Sequence, residues 1–450
     1  MKQEKSVGIW GFGIVGKSAV NYLLKAGTPV EVLDKRTLTS QEKAFLRERG
    51  IPFYGPQDLT AFLERNDAIL PSPGIDLRPY AHYRHKWIAE LDLFARNYHH
   101  PIIAVTGSIG KTSVTHLLST LLQAHGIQLA TGGNIGTAML DLLANPSTMA
   151  LLEVSSFQLE LTKTFAPDLA LWTNCFANHL DRHTDYAEYV DVKYKIVANQ
   201  KKEQQALIPF DLVGEIEKRG WPRSTLSFFA REQPHHHSLY YDCSFYYGAD
   251  GHVVLQQQTT ITPLIAIADL PAASFLDNWI MLCGALHMLG VPLSIIREHA
   301  ESMALPEHRL EKIATVGGIE FYNDSKSTTP ISTQAALERL GDKPMHLFLG
   351  GLGKGVDRTP FINGLNKTQI VHVYCFGKEA DALHTACVSA GVPSSAHATL
   401  EDAFDLCART AKNGERIIFS PSGSSYDLFE NYMARGRRFK ELVNGFIAAQ

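Results

Sequence analysis

The densest chemistry in this chain lies in Thr106-Gly107-Ser108-Ile109-Gly110-Lys111-Thr112-Ser113. A glycine turn exposes backbone N–H groups, a lysine can reach β- and γ-phosphates, and a threonine hydroxyl can hold Mg²⁺. These are the parts of a triphosphate loop. Val105 stands where the strict pattern G-x-x-x-x-G-K-[ST] has its first glycine. A second phosphate turn comes earlier, Gly11-x-Gly13-x-x-Gly16, with Asp34 placed 18 residues beyond Gly16. Glycines let a backbone approach a pyrophosphate, a helix N-terminus supplies donors, and an acid at that spacing suits a ribose. By itself this first turn fits a nicotinamide or flavin oxidoreductase, another nucleotide, or a tight strand–helix connection with no ligand. An ordinary dehydrogenase has no use for a triphosphate loop, so the second turn weighs against that reading.

Further polar groups fall at expected strand ends. Glu153 follows a buried run, and His179 and His183 flank Asp181. A carboxylate and an imidazole near a triphosphate loop make a set for Mg²⁺ and water. The histidine pair at i, i+4 lacks the glutamate of H-E-x-x-H, which argues against a zinc helix. Read singly, each of these residues is more often a capping or surface group than a ligand. In the last third of the chain Asn323-Asp324-Ser325-Lys326, Gly350-Gly351-Leu352-Gly353-Lys354 and Ser420-Pro421-Ser422-Gly423-Ser424-Ser425 close three strands. Open α/β sheets bind ligands beyond the carboxyl ends of their strands. Two of the three loops carry lysine, so an anionic substrate is expected there. The triplet His235-His236-His237 reads as a solvated loop, because three adjacent side chains do not converge on one metal unaided.

These groups must be positioned by an α/β chain. Short β-rich runs alternate with helix-period segments, the mark of βαβ units. Strands are expected at 7–10, 29–33, 101–106, 149–154, 169–173, 319–323, 345–349, 371–376 and 416–420. Helices are expected at 18–25 and 111–125, with a helical pattern at 294–304. The segments 238–247 and 252–255 suggest antiparallel structure inserted in a second domain. With 450 residues and roughly 150 per domain, three domains are expected, divided as 1–97, 98–304 and 305–450. Lysine plus arginine number 42 against 46 acids, a net charge of −4. That balance weighs against a nucleic-acid or anionic-membrane surface. No run approaches the ~18 apolar residues of a membrane span, and the glycine-rich start reads as strand and turn, not as a secretion signal. The 6 cysteines are scattered with no C-x-x-C pair, which fits free thiols in a reducing cytosol.

The set of motifs, in order from residue 7 to the C-terminus, resembles the Mur ligases of peptidoglycan synthesis. It comprises the loop at 106–112, Gly133-Asn134-Ile135-Gly136, Glu153-Val-Ser-Ser-Phe-Gln-Leu-Glu160, His179-Leu180-Asp181, Pro306-Glu307-His308-Arg309 and the loops at 323–326 and 349–354. Ser72-Pro73-Gly74-Ile75, the Ser-Ser-Phe-Gln-Leu-Glu phrase and the Ser420-Pro421 ending are similar to the MurD-type branch of that family. The resemblance implies an ATP-dependent peptide ligase of three α/β domains. These are a Rossmann-like N-terminal domain, a P-loop-type ATPase domain with a mostly parallel sheet plus a small antiparallel portion, and a Rossmann-like C-terminal domain. It would add glutamate, D-glutamate first, to UDP-N-acetylmuramoyl-L-alanine through an acyl phosphate. A Mur-type ligase with another amino-acid donor, L-glutamate included, is the alternative, and a Rossmann oxidoreductase a remote one.

The resemblance also implies residue roles. Gly13, Ile14, Val15, Asp34, Arg36, Ser72, Gly74 and Asn134 would hold the UDP substrate. Gly107, Ser108, Gly110, Lys111, Thr112, Ser113, Asn278, Arg309 and Asp324 would hold ATP. Thr112, Glu153, His179 and Lys193, the last as a carbamate, would bind Mg²⁺, with Lys195 as the neighbour that competes for the assignment. Lys111, His179, Lys193 and Lys326 would be catalytic, and Thr328, Lys354, Ser425 and Tyr432 would grip glutamate. The partners would be small molecules, with no nucleic acid or membrane, and the enzyme a monomer in a bacterial cytoplasm. Ile109, Leu352, Thr329, the pair Ser274-Phe275 and Tyr432 depart from the family pattern, which has asparagine, aspartate, asparagine, His-Asn and phenylalanine there.

Overall fold

The computed structural model describes residues 6–144, 147–234, 243–271, 276–300, 303 and 306–449. The histidine triplet, Ser274-Phe275, residues 238–242 of an expected strand and the expected boundary at 304–305 lie outside those residues. Contacts divide the chain into two compact units. One is built from residues up to Cys175, from Ala187–Pro271 and from Leu276–Met303, and the other from Phe176–Tyr186 and the residues after Met303. Among the described residues, no helix is long and apolar enough to cross a membrane. All 6 cysteines are buried and free.

The first unit holds two sheets. A parallel four-stranded sheet runs in the order Phe53–Tyr54, Val30–Leu33, Val7–Trp10, Ala68–Pro71. A nine-stranded sheet runs Thr260–Ala266, His252–Gln257, Cys243–Tyr247, Thr225–Ala230, Gln205–Pro209, Leu169–Trp172, Ile102–Thr106, Met149–Glu153, Leu129–Gly133. Every residue of Ile102–Thr106 is buried, as befits a strand covered on both faces of a parallel sheet. The antiparallel portion is not a separate insertion: it continues the edge of this sheet, and only the last two pairings are antiparallel. Connection length decides the direction. A short turn through Gly251, with φ of 83°, joins Cys243–Tyr247 to His252–Gln257, whereas the helix Val213–Arg219 lies between Gln205–Pro209 and Thr225–Ala230 and makes a parallel crossover.

The second unit holds a six-stranded sheet in the order Glu311–Val316, Ile319–Asn323, Arg416–Phe419, Met345–Gly350, Ile370–Phe376, Ser394–His397. Only its first pair is antiparallel. The helix Ile14–Lys25 begins four residues before the expected start, directly after Gly13. Gly16 lies so close to the Gly11 carbonyl that a Cβ would collide with it, so this glycine lets the helix pack onto its own turn.

Where the helix Glu90–Asn97 meets the one-turn helix Ser156–Leu159, Glu90 is 7% exposed and neither carboxyl oxygen completes a hydrogen bond. The Gln158 amide faces it, and burial, reinforced by Asp141, pushes the carboxyl up to about 8. Unfolded glutamate titrates near ~4.3, so the folded chain keeps this proton through a window where the unfolded chain has lost it. Stability is therefore full below ~4.3 and falls as pH rises towards about 8, by on the order of 3 kcal/mol at pH 7. Glu90→Gln is expected to melt together with the parent at pH 4 and above it at pH 8. An equal offset at both pH values would show that the acid is not the cause.

Candidate active site

The first unit places its site residues at strand ends. Asp34 closes Val30–Leu33, where its carboxylate accepts the Phe12 N–H at 2.7 Å and the Arg36 N–H at 3.0 Å. It thus ties the glycine turn to the next strand. Arg36 forks onto Glu42 with two bonds of 2.9 Å and donates to the Phe12 carbonyl at 2.6 Å. Lys17 joins the same glutamate at 2.8 Å, and the Arg36 guanidinium chiefly holds the Glu42 carboxyl far below the usual carboxylate range. Ser72 donates to the Gly11 carbonyl at 3.1 Å. Ile14 stands 72% exposed on the turn, while Gly74 has open space around it. Glu42 was not among the expected residues, although Thr39-x-x-Glu42 is a visible capping box and is formed.

The triphosphate loop follows the strand Ile102–Thr106 and opens the helix Lys111–Ala124. Gly107 and Gly110 have φ of 148° and 85°, conformations that favour glycine. A Cβ on Gly110 would come within 2.7 Å of the Asn278 Oδ1, so Asn278 packs against this turn. Asn174, also unexpected, accepts the N–H groups of Ser108 and Ile109 at 3.1 and 2.9 Å and donates to the Ile109 carbonyl at 3.0 Å. Lys111 Nζ donates to the carbonyls of Gly107 at 2.8 Å and Ser108 at 3.1 Å. The Ser108 hydroxyl meets that of Tyr189 at 3.1 Å, and Thr112 and Ser113 are buried.

Lys193 comes to the same place from the helix Tyr186–Ala198. It is 1% exposed, and its Nζ donates to the Gly107 carbonyl at 2.9 Å. Burial, and then the Lys111 charge, push its amine well below the usual lysine range. Lys195 instead donates to the Glu160 carbonyl at 2.5 Å, which separates the two neighbours. Glu153 closes the strand Met149–Glu153 at 1% exposure. Its Oε1 accepts from the Asn134 amide at 2.8 Å, and its Oε2 is buried without a partner. A buried orphan carboxylate oxygen beside a phosphate loop fits a divalent cation. Lys111, Lys193, Glu153 and Asn134 are thus gathered at the carboxyl ends of adjacent strands. His179 lies in Phe176–Tyr186, part of the second unit, with φ of 56°.

In the second unit Asp324 is 3% exposed and accepts from Ser420 Oγ at 2.8 Å and the Leu310 N–H at 3.1 Å. Burial pushes its carboxyl up. The neighbouring Arg309 has a buried Nε without a partner. Lys326 lies over the Tyr432 ring, 5.1 Å from its centroid, and Lys354 donates to the Thr328 hydroxyl at 3.1 Å. Ser425 is buried in the third loop. Thr329, one of the departures, caps the helix Pro330–Leu340. What holds the loops was not expected: Arg435, fully buried, donates to Ser325 Oγ at 3.1 Å, the Ser325 carbonyl at 2.8 Å and the Gly423 carbonyl at 2.9 Å. Among the described residues one group, Glu307, His308 and Glu311, brings potential metal ligands within 4.8 Å of each other. Lys440 already pairs with both carboxylates at 2.7 and 2.6 Å, which offsets part of their charge.

Glycine turns follow the parallel strands Val7–Trp10 and Ile102–Thr106, and each leads into a helix, the arrangement by which α/β proteins hold nucleotide phosphates. The sequence matches three family descriptions: "Mur ligase MurD-like, N-terminal domain" over residues 5–83, "Mur ligase middle domain" over 105–252 and "Mur ligase, glutamate ligase domain" over 308–423. The UDP-N-acetylmuramoylalanine–D-glutamate ligase of Acidobacterium capsulatum is 32% identical over 98% of this chain and 96% of its own length. That of Oleidesulfovibrio alaskensis is 34% identical over 96% and 92%. The MurF ligase of Thermotoga maritima, solved with ADP, superposes with a TM-score of 0.60 at 15% identity, covering 99% of this chain and 96% of that one. The chain belongs to the Mur ligase family and is an ATP-dependent ligase with that family's three-domain α/β fold.

Proposed function

We propose that this enzyme joins D-glutamate to the carboxylate of UDP-N-acetylmuramoyl-L-alanine with cleavage of ATP, in peptidoglycan precursor synthesis. It works on small molecules as a monomer in a bacterial cytoplasm, from domains 1–97, 98–304 and 305–450. One observation carries the reading: Lys111 and Lys193 converge on the Gly107 carbonyl in the same unit as the orphan oxygen of Glu153. Full-length relatives carrying that activity in their names support the choice of substrates.

The alanine carboxylate attacks the γ-phosphorus, ADP leaves, and an acyl phosphate forms. The glutamate amine then attacks the acyl carbon, loses a proton and expels phosphate. Lys111 and the loop N–H groups bind the phosphates and oppose the charge that builds in the first step. Thr112, Glu153 and Lys193 are the first unit's residues for Mg²⁺, which when bound neutralises the γ-phosphate. Lys193 suits this role only as an anion. A neutral amine adds CO₂ through its nitrogen lone pair and loses a proton to water, leaving a carbamate, and burial pushes the Lys193 amine well below the usual lysine range, towards that neutral form. In the second unit, Lys354 and Thr328 hold a glutamate carboxylate beside Ser425 and Tyr432. Arg309, Asp324 and Lys326 serve the nucleotide and the leaving phosphate.

Phosphate release should require ATP, Mg²⁺, UDP-N-acetylmuramoyl-L-alanine and D-glutamate together. It should fall when dissolved CO₂ is stripped and return with bicarbonate. Faster release with L-glutamate, L-alanine or L-lysine would reassign the donor, and indifference to bicarbonate would remove the carbamate. A nicotinamide absorbance change without phosphate would overturn the reading.

A further inference from the structure

The loop that carries Lys354 is held from below by two residues outside the expected site. Arg358 is 7% exposed, and its guanidinium pairs with Glu379. Its Nη1 donates to the Gly350 carbonyl at 3.3 Å and its Nη2 to the Gly351 carbonyl at 3.4 Å. Glu379, at the N-terminus of the helix Ala380–Ser389, accepts the Gly353 N–H at 3.2 Å. On the other side Leu352 exchanges two backbone bonds of 2.9 Å with Ser424. Three successive peptide groups are thus fixed immediately before Lys354. That lysine takes a left-handed φ of 54°, which a non-glycine residue adopts only when its surroundings impose it. Its amine then falls on the Thr328 hydroxyl.

We propose that the Arg358–Glu379 pair is a positioning device for the amino-acid substrate: by fixing the backbone of Gly350, Gly351 and Gly353 it holds Lys354 and Thr328 in register for a carboxylate. The inference rests on the reading of Lys354 as a glutamate-binding residue. Neither member of the pair touches the substrate. Each acts through the loop, and loss of Glu379 leaves the buried Arg358 guanidinium without its partner, the costly way to break an ion pair, whereas Glu379 itself is partly exposed.

The test is steady-state kinetics of Arg358→Met, Arg358→Lys, Glu379→Gln, the double variant and Lys354→Met, with KM measured for all three substrates and melting followed in parallel. Arg358→Met should raise KM for glutamate about tenfold, equivalent to roughly 1.4 kcal/mol of binding. KM for ATP and for the UDP substrate should stay near the parent values. Arg358→Lys should restore part of the loss. The double variant should be less impaired than the product of its singles, because no unpaired charge remains. A uniform rise in all three KM values that tracks the fall in melting temperature would mean a merely structural role and would overturn the inference. If Lys354→Met raises the glutamate KM and Arg358→Met does not, the positioning role alone falls. If Lys354→Met leaves it unchanged, the assignment of the loop falls first and takes the inference with it.

Discussion

Lys111→Ala is expected to lower substrate-dependent phosphate release about a thousandfold, the usual loss when one fixed charge is taken from a developing anion. The local geometry makes the size of the effect reasonable. Lys111 and Lys193 both donate to the Gly107 carbonyl, at 2.8 and 2.9 Å, so two amines share one oxygen in a buried pocket. Burial and the Lys111 charge both push the Lys193 amine well below the usual lysine range, so of the two it is Lys193 that is disfavoured as a cation. Lys111 is half-buried at the start of its helix and remains the cation that can reach a phosphate from this loop. Alanine is a good helix residue at that position, so melting should change little and the loss should read as chemistry. Arginine should not rescue, because a planar fork does not replace a compact ammonium inside a tight turn. Lys195→Ala is the control, its amine being engaged on the Glu160 carbonyl. A Lys111→Ala enzyme that turns over at the parent rate would remove the loop from the mechanism.

The difference between Lys193 and Lys195 marks how far the sequence could be read. The triphosphate loop, its strand and its helix are local, so residue types and spacing were enough to place Lys111 and Thr112. Lys193 and Lys195 sit two residues apart, about 200° around one helix, and only burial decides which faces the loop. Residues that act across long separations left no local mark. Asn174 clamps Ile109 from 65 positions away, and Arg435 reaches Ser325 from 110. Strand direction at 205–262 was hidden for a related reason: alternation identifies a strand but not its neighbour, and the intervening helix or hairpin sets the sense. Glu42 was legible through its capping box, but only the fold shows that Arg36 and Lys17 close on it.

Arg435→Met is expected to have the largest effect on stability. The guanidinium is fully buried, and burial lowers it to about 9 against the pull of Asp427 and Asp324. It remains the protonated form at neutral pH. It binds the loop after the strand Ile319–Asn323 to the loop after Arg416–Phe419 through the Ser325 and Gly423 carbonyls. Its Nη1 also lies where a Cβ on Gly351 would meet it at 2.9 Å, so all three loops that close the sheet are shaped around one side chain. Methionine fills the stem but leaves two carbonyls and the Ser325 hydroxyl without this donor, and it removes a positive charge that Asp427 and Asp324 feel. Losses of this kind amount to about 3–5 kcal/mol, or roughly a 10 °C fall in the melting temperature of a unit this size. Lysine should recover little, since one ammonium cannot reach acceptors that lie in two different loops. Because Asp324, Lys326 and Ser425 ride on those loops, the KM values for ATP and glutamate should both rise. That separates Arg435 from Arg358, whose removal should be felt through glutamate alone. A variant that melts with the parent would show that the loops hold their shape without the guanidinium.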